Sequence, residues 1–171
     1  MDRISIVGGP GAGKSTFALA LGRSLARTVD HLDFAFVAPD GFNHPRDVQE
    51  AALETLLAQP RYLLEGGYPL TYPRRIADCD TLIWLDTAPQ IRLWNMFKRH
   101  WSLRRQIGHP PVLRESRQRR RQNYALSNVL RQQIEHEAEL EPVFAAPPPD
   151  KRLVRLRSRA EAQAFLQSLA K

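Results

Sequence analysis

Gly8-Gly9-Pro10-Gly11-Ala12-Gly13-Lys14-Ser15 sets a glycine, four free positions, a glycine, a lysine and a serine in the order that cradles a phosphate. Residues without a Cβ let consecutive backbone N–H groups turn inward around an anion, and a helix starting at the loop points its positive end at the same place. Lys14 then lies along the β- and γ-phosphates of a nucleoside triphosphate, and the Ser15 hydroxyl is free to take a magnesium ion bridging them. Thr16 completes the nucleotide-binding positions. Two acidic residues further along have complementary chemistry. Asp33 can position a substrate or a magnesium-bound water, and Glu65 can hold magnesium through water.

Such residues act together only if the chain brings them to one edge. Arg3-Ile4-Ser5-Ile6-Val7 is short and rich in β-branched residues, as a buried strand is, and 15–27 repeats Phe17, Leu21, Ser24 and Leu25 at helical spacing. Strand, loop and helix therefore follow in the order the loop requires. A second strand is expected at 29–34, carrying His31-Leu32-Asp33. A third at 61–67 delivers Glu65 followed by two glycines, and Thr81-Leu82-Ile83-Trp84-Leu85-Asp86 reads as a fourth, buried parallel strand. In an open parallel sheet, ligands bind outside the carboxyl ends of the strands. Asp33 reads equally as a ligand-edge carboxylate or as a helix cap or solvated loop residue. Asp86 reads equally as a magnesium-side carboxylate or as the cap of the next helix.

Between these strands, 35–43 reads as loop, and Pro45 opens a helix to 58 with Val48, Ala52, Thr55 and Leu56 inward. Arg46 sits in its first turn, where a cation gains nothing from the helix dipole; an anionic ligand or plain solvation both account for it. Arg74 and Arg75 fall in a short helical segment. A helix is expected over 89–102 with Ile91, Leu93, Trp94, Phe97 and Trp101 mostly inward and Arg92 and Arg99 on another face. Gly108-His109-Pro110-Pro111 interrupts it, and a further helix over 113–139 sets Arg114, Arg117 and Arg121 on one face. A proline-rich connector at 143–150, a fifth strand Arg152-Leu153-Val154-Arg155-Leu156 and a final helix with Ala162, Phe165, Leu166 and Leu169 inward complete the chain. The five histidines are scattered, and none is assigned a ligand role.

At 171 residues and 43% hydrophobic content, the chain reads as a single domain with a packed core. The absence of an apolar run near the ~20 residues of a membrane span, and of a signal-peptide pattern, leads to the expectation of a soluble cytoplasmic protein. A lone cysteine, Cys79, makes no internal disulfide. The formal net charge of +7 calls for anionic partners, nucleotides or nucleic acid, and its cations concentrate between Arg92 and Arg121.

Four stretches, Gly8 to Ser15, His31-Leu32-Asp33, Leu64-Glu65-Gly66 with Tyr68, and Leu153 to Ser158 with the last helix, resemble the DNA topology modulation proteins, which are similar to adenylate kinase. The resemblance covers nearly the whole chain. It implies a P-loop NTPase fold of the nucleoside monophosphate kinase type, a three-layer α/β/α sandwich around five parallel strands, with a helical substrate insert at 36–58 and an Arg-rich lid at 102–124. It implies ATP and magnesium as cofactors, Arg75 or Arg74 on the acceptor's phosphate with Arg46 assisting, Arg99 and the lid arginines on the transferring phosphoryl group, and Arg157 near the adenine ring. Where the family has Asp-Gly-Asn, this chain has Glu65-Gly66-Gly67.

The expected activity is γ-phosphoryl transfer to a small acceptor, a nucleoside monophosphate first, with Asp33 as base if the acceptor is a hydroxyl compound. The competing class is a nucleotide-dependent regulator or nucleic-acid-associated ATPase, suggested by Gln118-Arg119-Arg120-Arg121-Gln122. That run is flanked by only Trp101 and Tyr124, few rings for base stacking.

Overall fold

The structure, a computed structural model, describes residues 1–38, 42–105 and 126–169, and of these the side chains outside 99–105 and 126–129. Strands β1 (Arg3–Val7), β2 (Asp30–His31), β3 (Tyr62–Glu65), β4 (Thr81–Leu85) and β5 (Arg152–Leu156) form one sheet in the order β2-β3-β1-β4-β5, every pairing parallel. Helices α1 (Lys14–Leu25), α2 (Leu32–Phe36), α3 (Arg46–Leu57), α4 (Tyr72–Asp78, entered through a 3-10 turn at Pro69–Thr71), α5 (Pro89–Arg105), α6 (Leu126–Ala145) and α7 (Arg159–Ser168) connect and cover it.

Alternation along the strands makes two cores. Ile4, Ile6, Leu63, Ile83 and Leu85 face α1 and α7, packing on Phe17, Ala18, Leu21 and, less deeply, Phe165. Val7, Tyr62, Leu64, Leu82 and Trp84 face the opposite layer with Leu32, Phe36, Leu53, Leu57, Tyr72 and Leu140. A sheet covered on both faces tolerates near-continuous apolar strands, which is why β3 and β4 read as such. Each fully buried aliphatic side chain contributes about 1.5–3 kcal/mol. The result is the three-layer sandwich, and its parallel strands end together at one edge, where β1 runs into Gly8 and β3 into Gly66.

Several elements differ from expectation. β2 stops at His31, and Leu32–Phe36 is helical because Leu32 and Phe36, four apart, both bury against the sheet; Asp33 therefore lies in a helix's first turn and does not end a strand. In α3 the buried residues are Leu53 and Leu57, with Ala52 and Leu56 packed beside them and Val48 42% exposed. In α5 the inward residues are Arg92 and Met96, whereas Ile91, Trp94 and Phe97 are about half exposed: the polar face turns in. α6 extends through Pro142 to Ala145, consuming the start of the expected connector. The expected lid is outside the described residues from 106 to 124, as are the side chains of Arg99, Trp101, Arg104 and Arg105. Arg114, Arg117 and Arg121 fall in that stretch. No helix among the described residues is long and apolar enough to cross a membrane.

Candidate active site

The loop between β1 and α1 has the backbone its glycines allow. Gly8, Gly11 and Gly13 have φ of 134°, 77° and 90°, with Gly13 the N-cap of α1, so Lys14 and Ser15 occupy the helix's first turn and its free N–H groups face the edge of the sheet. Lys14 Nζ donates to Gly9 O at 3.1 Å. Gly67 closes over the loop: a Cβ there would lie 2.6 Å from Gly8 O and 3.1 Å from Lys14 Nζ. Burial pushes the Lys14 amine below its ordinary value, opposed by the charges of Glu65 and Asp33.

Ser15 and Glu65, expected together, are together. Ser15 Oγ donates to Glu65 Oε1 at 3.0 Å, and His31 Nδ1 lies 2.6 Å from the same oxygen, because β2 pairs with β3 in the register His31 opposite Glu65. Glu65 is 3% exposed. Burial pushes its carboxyl up, but the His31 hydrogen bond and the charges of Lys14 and His31, together with the Ser15 bond, outweigh this and hold it below the usual carboxylate value. His31 is raised, first by its hydrogen bond to Glu65. Among the described residues no group of three or more His, Cys, Asp or Glu is arranged to hold a metal ion by itself. A cation here would take a hydroxyl and a carboxylate from the protein, the small hard-oxygen contribution that suits magnesium completed by phosphates and water.

Asp33 is exposed at the same edge, with Oδ1 accepting from Tyr68 Oη at 2.6 Å, and its charge is felt by Lys14. The arginines expected at the acceptor's phosphate are elsewhere engaged. Arg75 is 0% exposed and donates from Nε to Ser5 Oγ at 3.0 Å and from its two terminal nitrogens to Gly66 O and Ile6 O, both at 2.8 Å. It ties β1 to the turn after β3 from within the core and presents nothing to the open edge. Arg74 makes a two-pronged pair with Glu54 at 2.7 and 2.8 Å, and Arg46 pairs with Glu50 one turn on, 2.7 Å away.

Asp86 accepts from Arg155 Nε at 3.0 Å, with Arg157 Nε 3.7 Å off, and on its other oxygen from Gln133 Nε2 at 3.4 Å, the residue that holds Arg92 at the loop. Arg157, the expected adenine neighbour, has a side chain 64% exposed. Next to it Ser158 caps α7 by accepting from Glu161 N.

Three residues given no role from the sequence reach the loop, the third through Tyr72. Arg92, 1% exposed, donates from Nε to Pro10 O at 2.9 Å and bonds Gln133 Oε1 through NH1, and its guanidinium fills the space a Cβ on Gly9 would need. One turn on, Asn95 Nδ2 donates to Gly11 O at 2.9 Å. His136 of α6, also 1% exposed, has Nδ1 2.6 Å from Tyr72 Oη, which itself accepts from Gly8 N at 3.2 Å. Burial, then the charges of Lys14, Arg92 and Arg75, push His136 down to about 3, so it is neutral. Arg92 NH2 and His136 Nε2 are buried without a partner, each an omission costing about 1–3 kcal/mol.

No family model matches the chain, and no curated protein does. Solved structures do match. The shikimate kinase from Acinetobacter baumannii in complex with shikimate aligns over 99% of this chain and 90% of its own at a TM-score of 0.62 and 16% identity. The Bacteroides thetaiotaomicron shikimate kinase aligns over 98% and 96%, TM-score 0.58, 15% identity. A deoxyadenosine kinase from M. mycoides with bound dCTP aligns over 97% of both chains, TM-score 0.52, 12% identity. Likeness at such identities is one of fold: the chain has the P-loop kinase fold.

Proposed function

We propose that the protein is an ATP- and magnesium-dependent phosphotransferase acting on a small molecule through one of its hydroxyl groups. The observation that carries this reading is the Asp33–Tyr68 pair at the edge that holds Lys14, Ser15 and Glu65, combined with the engagement of Arg46, Arg74 and Arg75 in other pairs. A hydroxyl acceptor needs a base and a hydrogen-bonding partner, which a carboxylate and a phenol supply; a phosphate acceptor needs arginines. Asp33 takes the acceptor's hydroxyl proton as that oxygen bonds to the γ-phosphorus and the bond from phosphorus to the bridging oxygen breaks, leaving ADP. Lys14 and the loop N–H groups hold the donor's charge, and Ser15 with Glu65 would hold magnesium, which supplies neutralisation of the phosphates. Tyr68 keeps Asp33 oriented.

A second reading retains a nucleoside monophosphate as acceptor, as the resemblance to adenylate kinase-like DNA topology modulation proteins implies. It keeps Arg74 and Arg46, whose side chains are exposed, for the acceptor's phosphate, with Arg99 and the lid arginines on the transferring phosphoryl group.

The test is ADP release from MgATP across a panel of sugars, nucleosides, hydroxy acids and nucleoside monophosphates, with Lys14→Ala and Asp33→Asn as controls. Stimulation by a hydroxyl compound, lost in both variants, is the expected result. Stimulation by a monophosphate alone supports the second reading. Slow acceptor-independent hydrolysis, or nucleotide binding without turnover, turns the assignment to a regulator or a nucleic-acid-associated ATPase.

A further inference from the structure

Among the described residues, the buried side-chain atoms left without a hydrogen-bond partner are Arg92 NH2, Gln132 Oε1 and His136 Nε2, and all three belong to the α5–α6 layer that covers the phosphate loop. Buried polar groups are otherwise satisfied in folded proteins, and two of these orphans stand beside one loop, Arg92 through Pro10 O and His136 through Tyr72 and Gly8 N, which marks a missing ligand there. Their chemical sense follows from their neighbours. Tyr72 Oη accepts from Gly8 N–H and keeps its own proton to give; assigning that proton to His136 Nδ1, its partner at 2.6 Å, puts the proton of neutral His136 on Nε2. In that tautomer Arg92 NH2 and His136 Nε2 are both donors.

The loop residues they touch say which part of a nucleotide they serve. Lys14, whose role in such loops is toward the β- and γ-phosphates, rests its Nζ on Gly9 O, and the Arg92 guanidinium lies against the Cα of the same glycine. His136 reaches the adjacent Gly8 through Tyr72, and Gln133, one turn before His136, holds Arg92 NH1. The nearby carboxylates have other hydrogen-bond partners, while the charges of Asp86 and Glu137 act on Arg92 and those of Glu65 and Asp33 on Lys14. Asp86 is paired with Arg155, Glu137 accepts from Gln133 Nε2 at 2.6 Å, and Glu65 is bound by His31 and Ser15. Three cations, Lys14, Arg92 and Arg75, act on His136 together.

Resting on the nucleotide site proposed above, we infer that Arg92 and His136 are phosphate-binding residues that donate, through NH2 and Nε2, to the terminal phosphate of a bound nucleoside triphosphate. They distinguish triphosphate from diphosphate, because the atoms they bind are those that leave with the transferred group. α5 thereby joins two functions: Arg92 Nε and Asn95 brace the loop carbonyls outward, and Arg92 NH2 reads what the loop holds.

The test is calorimetric binding of MgATP and MgADP to the intact protein and to Arg92→Met, Arg92→Lys, His136→Phe and Asn95→Ala. Arg92→Met is expected to weaken ATP about ten- to a hundredfold and ADP less than about threefold, with Arg92→Lys recovering part of the loss. His136→Phe, which fills the same space without a donor, is expected to weaken ATP selectively by about three- to tenfold. Asn95→Ala braces Gly11 O alone and is expected to affect both nucleotides equally. The 15N resonance of His136 Nε2 should move on adding a non-hydrolysable ATP analogue and not on adding ADP. Equal losses for both nucleotides in Arg92→Met and His136→Phe, with a silent Nε2 resonance, overturn the inference and leave these residues a bracing role. If the intact protein binds neither nucleotide, the nucleotide site itself fails, and the inference with it.

Discussion

Replacing Arg75 with methionine separates a core brace from a ligand arginine. Removing the guanidinium orphans the Gly66 carbonyl and the Ser5 hydroxyl; the Ile6 carbonyl keeps its bond from Gly66 N at 3.2 Å. Bonds from a buried cation are worth about 1.5–3 kcal/mol each and orphaned buried groups cost about 1–3 kcal/mol. Methionine recovers part of this by sparing the desolvation of a charge, which leaves an expected loss of about 3–5 kcal/mol. That is a large share of a typical domain's total of about 5–15 kcal/mol. Urea unfolding followed by the fluorescence of buried Trp84 should show the midpoint falling by about 1 M or more, with Arg75→Lys intermediate. At temperatures where Arg75→Met is folded, its acceptor KM should stay near that of the parent. A stability change under about 1 kcal/mol with a tenfold rise in acceptor KM would refute the placement of Arg75 in the core and restore it to the acceptor site.

Other consequences are equally direct. His136 is held neutral, with a value near 3 when folded against the ordinary 6.5, so the unfolded chain binds the extra proton between those values. Stability should fall with acidification below pH 6.5 by up to about 1.4 kcal/mol per unit, and His136→Phe should flatten that limb in pH-dependent melts. Gly67→Ala pushes a methyl toward Gly8 O and Lys14 Nζ; we expect a folded protein with kcat lowered about a hundredfold, read by steady-state kinetics beside a thermal melt. Cys79, buried and pushed up to about 11, should not react with a thiol reagent until the protein unfolds, as timed labelling with and without urea will show.

The fold was legible where local chemistry and burial agree. The glycine loop, β1, β4 and β5 need only their own residues and two covered sheet faces. β2 was not, because Leu32 and Phe36 satisfy either period and only packing on the sheet selects the helix. The Ser15–Glu65 contact followed from motif and strand order, but His31 joins it through β2–β3 register, which no local pattern encodes. α5 misled for a physical reason. Its aromatic residues look like a core face, yet the buried side chains are Met96 and Arg92, the latter drawn in by a carbonyl of the phosphate loop; the signal available was its spacing of three from Asn95, which also bonds the loop. Arg75 illustrates the converse: a cation placed by residue type at a ligand, which backbone carbonyls hold inside.

The most direct test of the central claim identifies the bond formed. The purified protein is incubated with MgATP and the acceptor that stimulates ADP release, and the product is examined by 31P NMR, with Asp33→Asn in parallel. A new phosphate monoester resonance on a hydroxyl carbon is expected, absent with Asp33→Asn while that variant still binds ATP. A product whose phosphorus is coupled to a second phosphorus, as in a nucleoside diphosphate made from a monophosphate, formed undiminished by Asp33→Asn, would contradict it.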